Sequence, residues 1–205
     1  MRGAGQAATT ILPIPLSAAA SRVELSALWQ LGFLSGDDIA SICMRWLEED
    51  LDRGNPDIAT FAGRSGLTLR EAGPGFQRAL EALVGRVVER DEALLRALRL
   101  HLTAALTDGP LMDGVSLALD RFADISDRRL VRNPRRARDH PDGVYVAQNL
   151  GLEYLYGDFH ALDDILDADP ARRAAEEALV SELRKDVIEL RDHLATILDA
   201  TPKVG

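Results

Sequence analysis

The residues best suited to chemistry stand together in Gly157-Asp158-Phe159-His160-Ala161-Leu162-Asp163-Asp164. Asp158, His160 and Asp164 supply carboxylate oxygens and an imidazole nitrogen, the donor types that hold a divalent metal. A metal there would make the chain a metal-dependent enzyme or a ligand-binding protein. The spacing matches neither an EF-hand loop nor two histidines one helical turn apart. The same residues also read as local structure. Asp158 caps a following helix, Asp163 and Asp164 enrich its first turn against the dipole, and His160 sits on the surface.

Two other groupings concern binding. Arg128, Arg129, Arg132, Arg135, Arg136 and Arg138 crowd the segment 127–143, which holds two prolines and almost no apolar residue. Such a basic run in an acidic chain can mark a phosphate or nucleic-acid site. No aromatic residues interleave with these arginines for base stacking, and the acidic remainder repels a polyanion, so nucleic acid is disfavoured. The alternative is an exposed loop docked on the protein's own acidic faces. The second grouping is acidic: Asp37, Asp38, Glu48, Glu49, Asp50 and Asp52. Paired carboxylates do acid–base work only where burial separates their pKa values. Here they fall on the polar side of an amphipathic helix. A solvated face, or a docking surface for a basic partner, follows more directly.

No other motif carries chemistry. The chain lacks a phosphate-binding glycine loop, a dinucleotide fingerprint and a serine nucleophile elbow. His101 lies on a leucine-rich helix, His193 on the terminal helix and His140 among the arginines. Cys43 is the one cysteine, so stability does not rest on an internal disulfide. It falls on an apolar helix face beside acidic residues, the setting of a small buried hydrophobe rather than a reactive thiol. No cofactor is expected, and the reading leans away from an enzyme.

Helices must position these groups. Leu25, Leu28, Trp29 and Phe33 mark a short helix. Ile39, Ile42, Cys43, Trp46 and Leu47 repeat at i, i+3, i+4, i+7 after a Ser35…Asp38 capping signal. Gly54-Asn55-Pro56 opens a third short helix through Ile58 and Phe61. Gly63 to Gly75 reads as a looser connection, with Gly73-Pro74-Gly75 as its breaker. The helical pattern resumes at Phe76 and either runs on or breaks near Gly85, reaching Leu106 before Asp108-Gly109-Pro110. Val115, Leu117, Leu119 and Phe122 mark the next helix, up to about Asp124. Tyr145 to Tyr156 forms another, ended by Gly157, and Leu162 to Leu166 adds a short turn. In the last helix, Val180, Leu183, Val187, Leu190, Leu194 and Ile197 form a heptad stripe. It serves either as a packing face within the chain or as a homodimer seam over 180–197, which would make the protein a scaffold.

One stretch resembles known proteins. Leu28-Trp29-Gln30-Leu31-Gly32-Phe33-Leu34-Ser35-Gly36-Asp37-Asp38-Ile39, with Trp46 and Asn55-Pro56-Asp57-Ile58, resembles the opening of several bacterial immunity-type and uncharacterised helical families. The resemblance covers residues 28–58 and transfers no site residues. It implies a helical protein that neutralises a toxin domain, often a basic nuclease, through an acidic surface.

Composition sets the frame. The 205 residues are 46% hydrophobic but only 5% aromatic, so a core must rest on Leu, Ala, Ile and Val, a helix-favouring palette. The net charge of −9 argues against whole-surface attraction to nucleic acid or anionic lipid. No apolar run approaches the ~18 residues that span a bilayer. The apolar start, Ile11 to Leu16, is short and broken by two prolines, so it reads as a flexible arm rather than an export signal. The expectation is an all-α cytoplasmic protein: an arm over 1–21 and one bundle-like domain over 22–205, with about seven to nine helices. Its expected role is to bind a basic partner through Asp37, Asp38, Glu48, Glu49 and Asp52. The alternatives are the Asp158–Asp164 metal or ligand site and the homodimeric scaffold.

Overall fold

A computed structural model of the chain describes residues 20–51, 54–135, 145–166 and 173–200, without the side chains of 163–166 and 173–175. Residues 1–19 of the expected arm, Asp52, Arg136, Arg138 and His140 lie outside that set. The all-α expectation holds: the regular elements among the described residues are eight helices. They are α1 (Arg22–Gln30), α2 (Gly36–Glu48), α3 (Pro56–Phe61), α4 (Leu69–Val84), α5 (Arg90–Thr107), α6 (Leu111–Phe122), α7 (Glu153–Leu166) and α8 (Arg173–Ala200). An isolated bridge pairs Val131 with Leu150. The helical domain resolves into two compact units, residues 1–88 and 89–205.

In the first unit, three helices start with the same reciprocal device. Ser21, Ser35 and Thr68 each accept a hydrogen bond from the backbone N–H three residues on. Glu24, Asp38 and Glu71 each reach back to the N–H of the capping residue. Each pair satisfies two helix-end donors that would otherwise lack partners. Phe76 of α4 anchors the core. It stacks on Trp46 at 5.6 Å and meets Trp29 edge-on at 5.5 Å. The expected break at Gly73-Pro74-Gly75 does not occur, because α4 begins at Leu69 and runs through all three. The glycines explain the tolerance of Pro74. A Cβ on Gly73 would stand 3.2 Å from the Trp29 ring, and one on Gly75 2.8 Å from the Phe61 ring. The packing gained from these close approaches offsets the lost backbone hydrogen bond. Gly85, at φ 76°, closes α4 in the left-handed conformation and settles the alternative left open near that residue.

In the second unit, α5 packs against α6 and α8, and α7 packs against α6 and α8. The heptad stripe of α8 is consumed by these contacts. Leu183, Val187, Leu190 and Leu194 are fully buried. The homodimer seam over 180–197 is therefore corrected: its central residues already form the unit's own core. The helix expected over Tyr145–Tyr156 is also corrected. Residues 146–149 are turns, and α7 starts at Glu153 and continues through Gly157.

Two glycines separate packing from propensity. A Cβ on Gly114 in α6 would lie 2.5 Å from the Ala105 Cα of α5, whereas one on Gly157 in α7 would meet nothing within 4 Å. Gly157→Ala should stabilise the protein by about 0.5–1 kcal/mol through helix propensity. Gly114→Ala should destabilise it by about 1–3 kcal/mol, because the α5 backbone must move. Urea denaturation of the two variants checks the opposite signs.

Candidate functional site

The exposed side of α2 is built by helical geometry. Asp37, Ser41, Met44 and Glu48 are spaced four, three and four residues apart, which puts them on one face. Asp37 and Glu48 stand about 16 Å apart along the axis. All four are exposed, and Met44 at 42% is an apolar knob between two acids. Glu49 and Asp50 extend the acidic end and are exposed too. Asp37 accepts a hydrogen bond from the Gly66 N–H at 3.2 Å. Glu49 lies 3.9 Å from Arg45, a contact that surface screening makes weak. Asp38 must be removed from this face. It is 4% exposed, and its carboxylate is held by the Ser35 hydroxyl at 2.6 Å and the Ser35 N–H at 2.8 Å. Cys43, on the opposite side of α2, is buried, and burial, with Asp57 nearby, pushes its thiol up to about 12. It is inert at neutral pH.

The arginine segment turns inward. Arg128 pairs with Asp91, and Arg129 donates to Gln148 at 2.5 Å. Arg135 donates through one nitrogen to Asp186 at 2.7 Å and Asp158 at 3.4 Å, with its guanidinium 4.7 Å over the Tyr154 ring. Of the arginines expected to bind an anion, Arg128, Arg129 and Arg135 are thus each engaged by the protein itself, as the docked-loop alternative expects. Arg132 is exposed, and Arg136 lies outside the described residues. Several bonds deliver Arg135 to its partners. Asn133 donates to the Gly151 carbonyl at 2.7 Å, Asn149 to the Ser126 carbonyl at 2.7 Å, and the Leu130 and Val131 N–H groups to the Asn149 carbonyl. Burial raises the Asp186 carboxyl above the usual range, helped by a hydrogen bond with Asp158 and opposed by Arg135. The guanidinium supplies the counter-charge that a buried carboxylate needs.

This geometry also redistributes the expected metal triad. Asp158 faces Arg135, while His160 is exposed and packs edge-on to Tyr156 at 4.4 Å and to Phe159 at 5.5 Å. Asp158 lies within α7 and caps nothing. The Asp164 side chain is not described. Among the described residues, no group of three His, Cys, Asp or Glu is placed to hold a metal.

Beside His160 opens a cleft of about 540 Å³ between α6 and α7. Tyr156, Phe159 and His160 form one wall, and Asp120, Arg121 and Asp124 the other, over Leu119 and Ile125. Arg121 donates to His101 Nε2 at 3.3 Å. His101 Nδ1 lies 2.7 Å from the Ala97 carbonyl, which can only accept, so Nδ1 carries the proton and Nε2 is the acceptor. His101 is 2% exposed, and burial drives its pKa down to about 4, with the Ala97 bond opposing and Arg121 assisting. It is a neutral structural residue that orients Arg121.

Sequence reasoning missed Asp186, Tyr154 and the cleft. Asp186 had a signal: it lies three residues after Leu183 and four before Leu190, on the buried stripe. The cleft had none, because its walls lie far apart in sequence. No protein family, curated protein or solved structure matches this chain. No helix among the described residues is long and apolar enough to cross a membrane.

Two measurements test this electrostatic account. Arg135→Ala leaves a buried carboxylate without its cation and should destabilise by about 2–3 kcal/mol, below the figure for a fully buried pair because Arg135 is one-third exposed. That loss should shrink towards acid pH, because a protonated Asp186 needs no counter-charge. For His101, the folded pKa of about 4 lies below the ordinary 6.5. Between those values the unfolded chain takes up a proton that the folded chain refuses. This residue's contribution to stability is therefore intact above pH 6.5 and falls by about 3 kcal/mol as pH drops to 4. An NMR titration should show the His101 ring still neutral at pH 5.

Proposed function

We propose that this protein is a non-catalytic binding module that occupies a basic partner protein through the exposed stripe of α2. The observation that carries the reading is the placement of Glu48, Glu49 and Asp50 at the C-terminal end of α2. A helix is partially negative there, so carboxylates at that end are disfavoured locally, and one basic residue, Arg45, sits in the last turn. A chain that caps three helix starts so consistently departs from local stability here. Such departures gather where function selects the residue. Met44 supplies an apolar contact within the charged rim, the usual composition of a recognition surface. The partner consistent with this chemistry carries a basic face. In its most specific form it is a toxin domain covered by an immunity protein. Attraction between the faces speeds encounter and weakens with salt.

Glu48→Lys should raise stability by about 0.3–1 kcal/mol, because it replaces a charge that the helix end disfavours with one it favours. The same substitution should slow association with the partner captured by the wild-type protein from an extract of the producing cells. Met44→Ala should speed dissociation instead. A complex indifferent to Glu48→Lys and to added salt would overturn the proposal. So would a captured partner with an acidic face.

A further inference from the structure

The cleft between α6 and α7 has a second, separate chemistry. Asp120 and Asp124 lie one helical turn apart, both exposed, and neither has an ion pair or hydrogen bond among the described residues. Across from them stand the rings of Tyr156, Phe159 and His160, partly open to the cleft. Arg121, the one basic group of the lining, is tied inward to the buried His101. Two carboxylates against one guanidinium leave a single net negative charge, which one monocation would neutralise. Carboxylates recognise guanidinium through paired N–H bonds, and aromatic faces attract it through their quadrupole. A compact, strongly hydrated ammonium uses the second interaction less well. A metal ion would use the carboxylates and leave the aromatic wall idle.

We infer that this cleft is a binding site for an alkylguanidinium group, with Asp120 and Asp124 pairing with the cation and Tyr156 and Phe159 stacking on its plane. The guanidinium comes either from a free small molecule or from an arginine side chain presented by a polypeptide. The site is lined by residues of 116–125 and 156–160 and shares none with the α2 stripe, so each idea can fail alone.

Calorimetry and NMR on the full-length protein test the inference with four probes: ethylguanidinium, its neutral isostere ethylurea, free arginine amide, and a capped Gly-Arg-Gly peptide. The expected result is one saturable site that perturbs the ring signals of Tyr156, Phe159 and His160 with the guanidinium probes but not with ethylurea. Asp120→Asn combined with Asp124→Asn should weaken binding about tenfold, and Phe159→Leu should weaken it several-fold. Both carboxylates are exposed and unpaired among the described residues, so an unchanged thermal melt is expected of the double variant and confirms that its cleft remains folded. Tighter binding of the peptide supports a polypeptide source, and equal or tighter binding of arginine amide supports a small molecule. Equal response to ethylurea, or full binding by the double variant, overturns the site.

Discussion

A carboxylate buried among leucines constrains the second unit. Asp186 lies on the α8 face that also carries Leu183, Val187 and Leu190. A leucine at that position could pack against many neighbours, but a carboxylate accepts only from a donor aimed at it. The donor is Arg135, delivered by a segment with no helix of its own, so its backbone needs other partners. Asn133, Asn149 and the Val131–Leu150 bridge provide them. Asp158 and Tyr154 of α7 complete the cluster from the other side. One buried charge thus fixes how a loop and two helices meet. The arrangement serves position more than stability, because a well-packed apolar substitute for such a cluster is often equally stable.

The helices were legible to the extent that local rules governed them. The i, i+3, i+4 run from Ile39 to Trp46 identified α2, and the stripe from Leu183 to Leu194 identified α8. Errors arose where tertiary packing overrode a local signal. Gly73-Pro74-Gly75 and Gly157 are breakers by composition, yet α4 and α7 run through them. At Gly73 and Gly75 the absence of a Cβ is what lets aromatic rings approach. The capping pairs Ser21…Glu24 and Thr68…Glu71, which fix two helix starts, stand in the sequence as signals that the pattern reading passed over. The candidate sites were only half readable. Spacing identified the acidic face of α2, but capping geometry alone withdrew Asp38 from it. The meeting of Arg135 with Asp186, and of Asp120 with Tyr156, depends on chain crossings that no local pattern encodes.

The use of arginine changes the meaning of the net charge. Of the 24 basic residues, 22 are Arg. Several do work that a lysine could not match. Arg135 serves two carboxylates while lying over a ring, and Arg121 reaches inward to a neutral imidazole. Planar guanidinium suits both tasks because it stacks and donates along fixed directions. Basic groups committed to internal contacts leave the local field to unpaired acids. The acidic faces of α2 and of the α6–α7 cleft are therefore stronger than a net charge of −9 spread over 205 residues would suggest.

Both faces share a further property. Glu48, Glu49 and Asp50 stand at the end of α2, and Asp120 and Asp124 flank the end of α6. Carboxylates gather in numbers at two helix ends where the dipole opposes them, with Arg45 and Arg121 as the basic residues of those last turns. Arg45 lies at the edge of salt-bridge distance from Glu49, and Arg121 donates to His101, so one cation stands against several acids at each end. Each site thus holds more negative charge than its helix end favours or its one cation balances. An incoming cation would relieve charge kept in that state, so the two proposed sites would draw affinity from the same source.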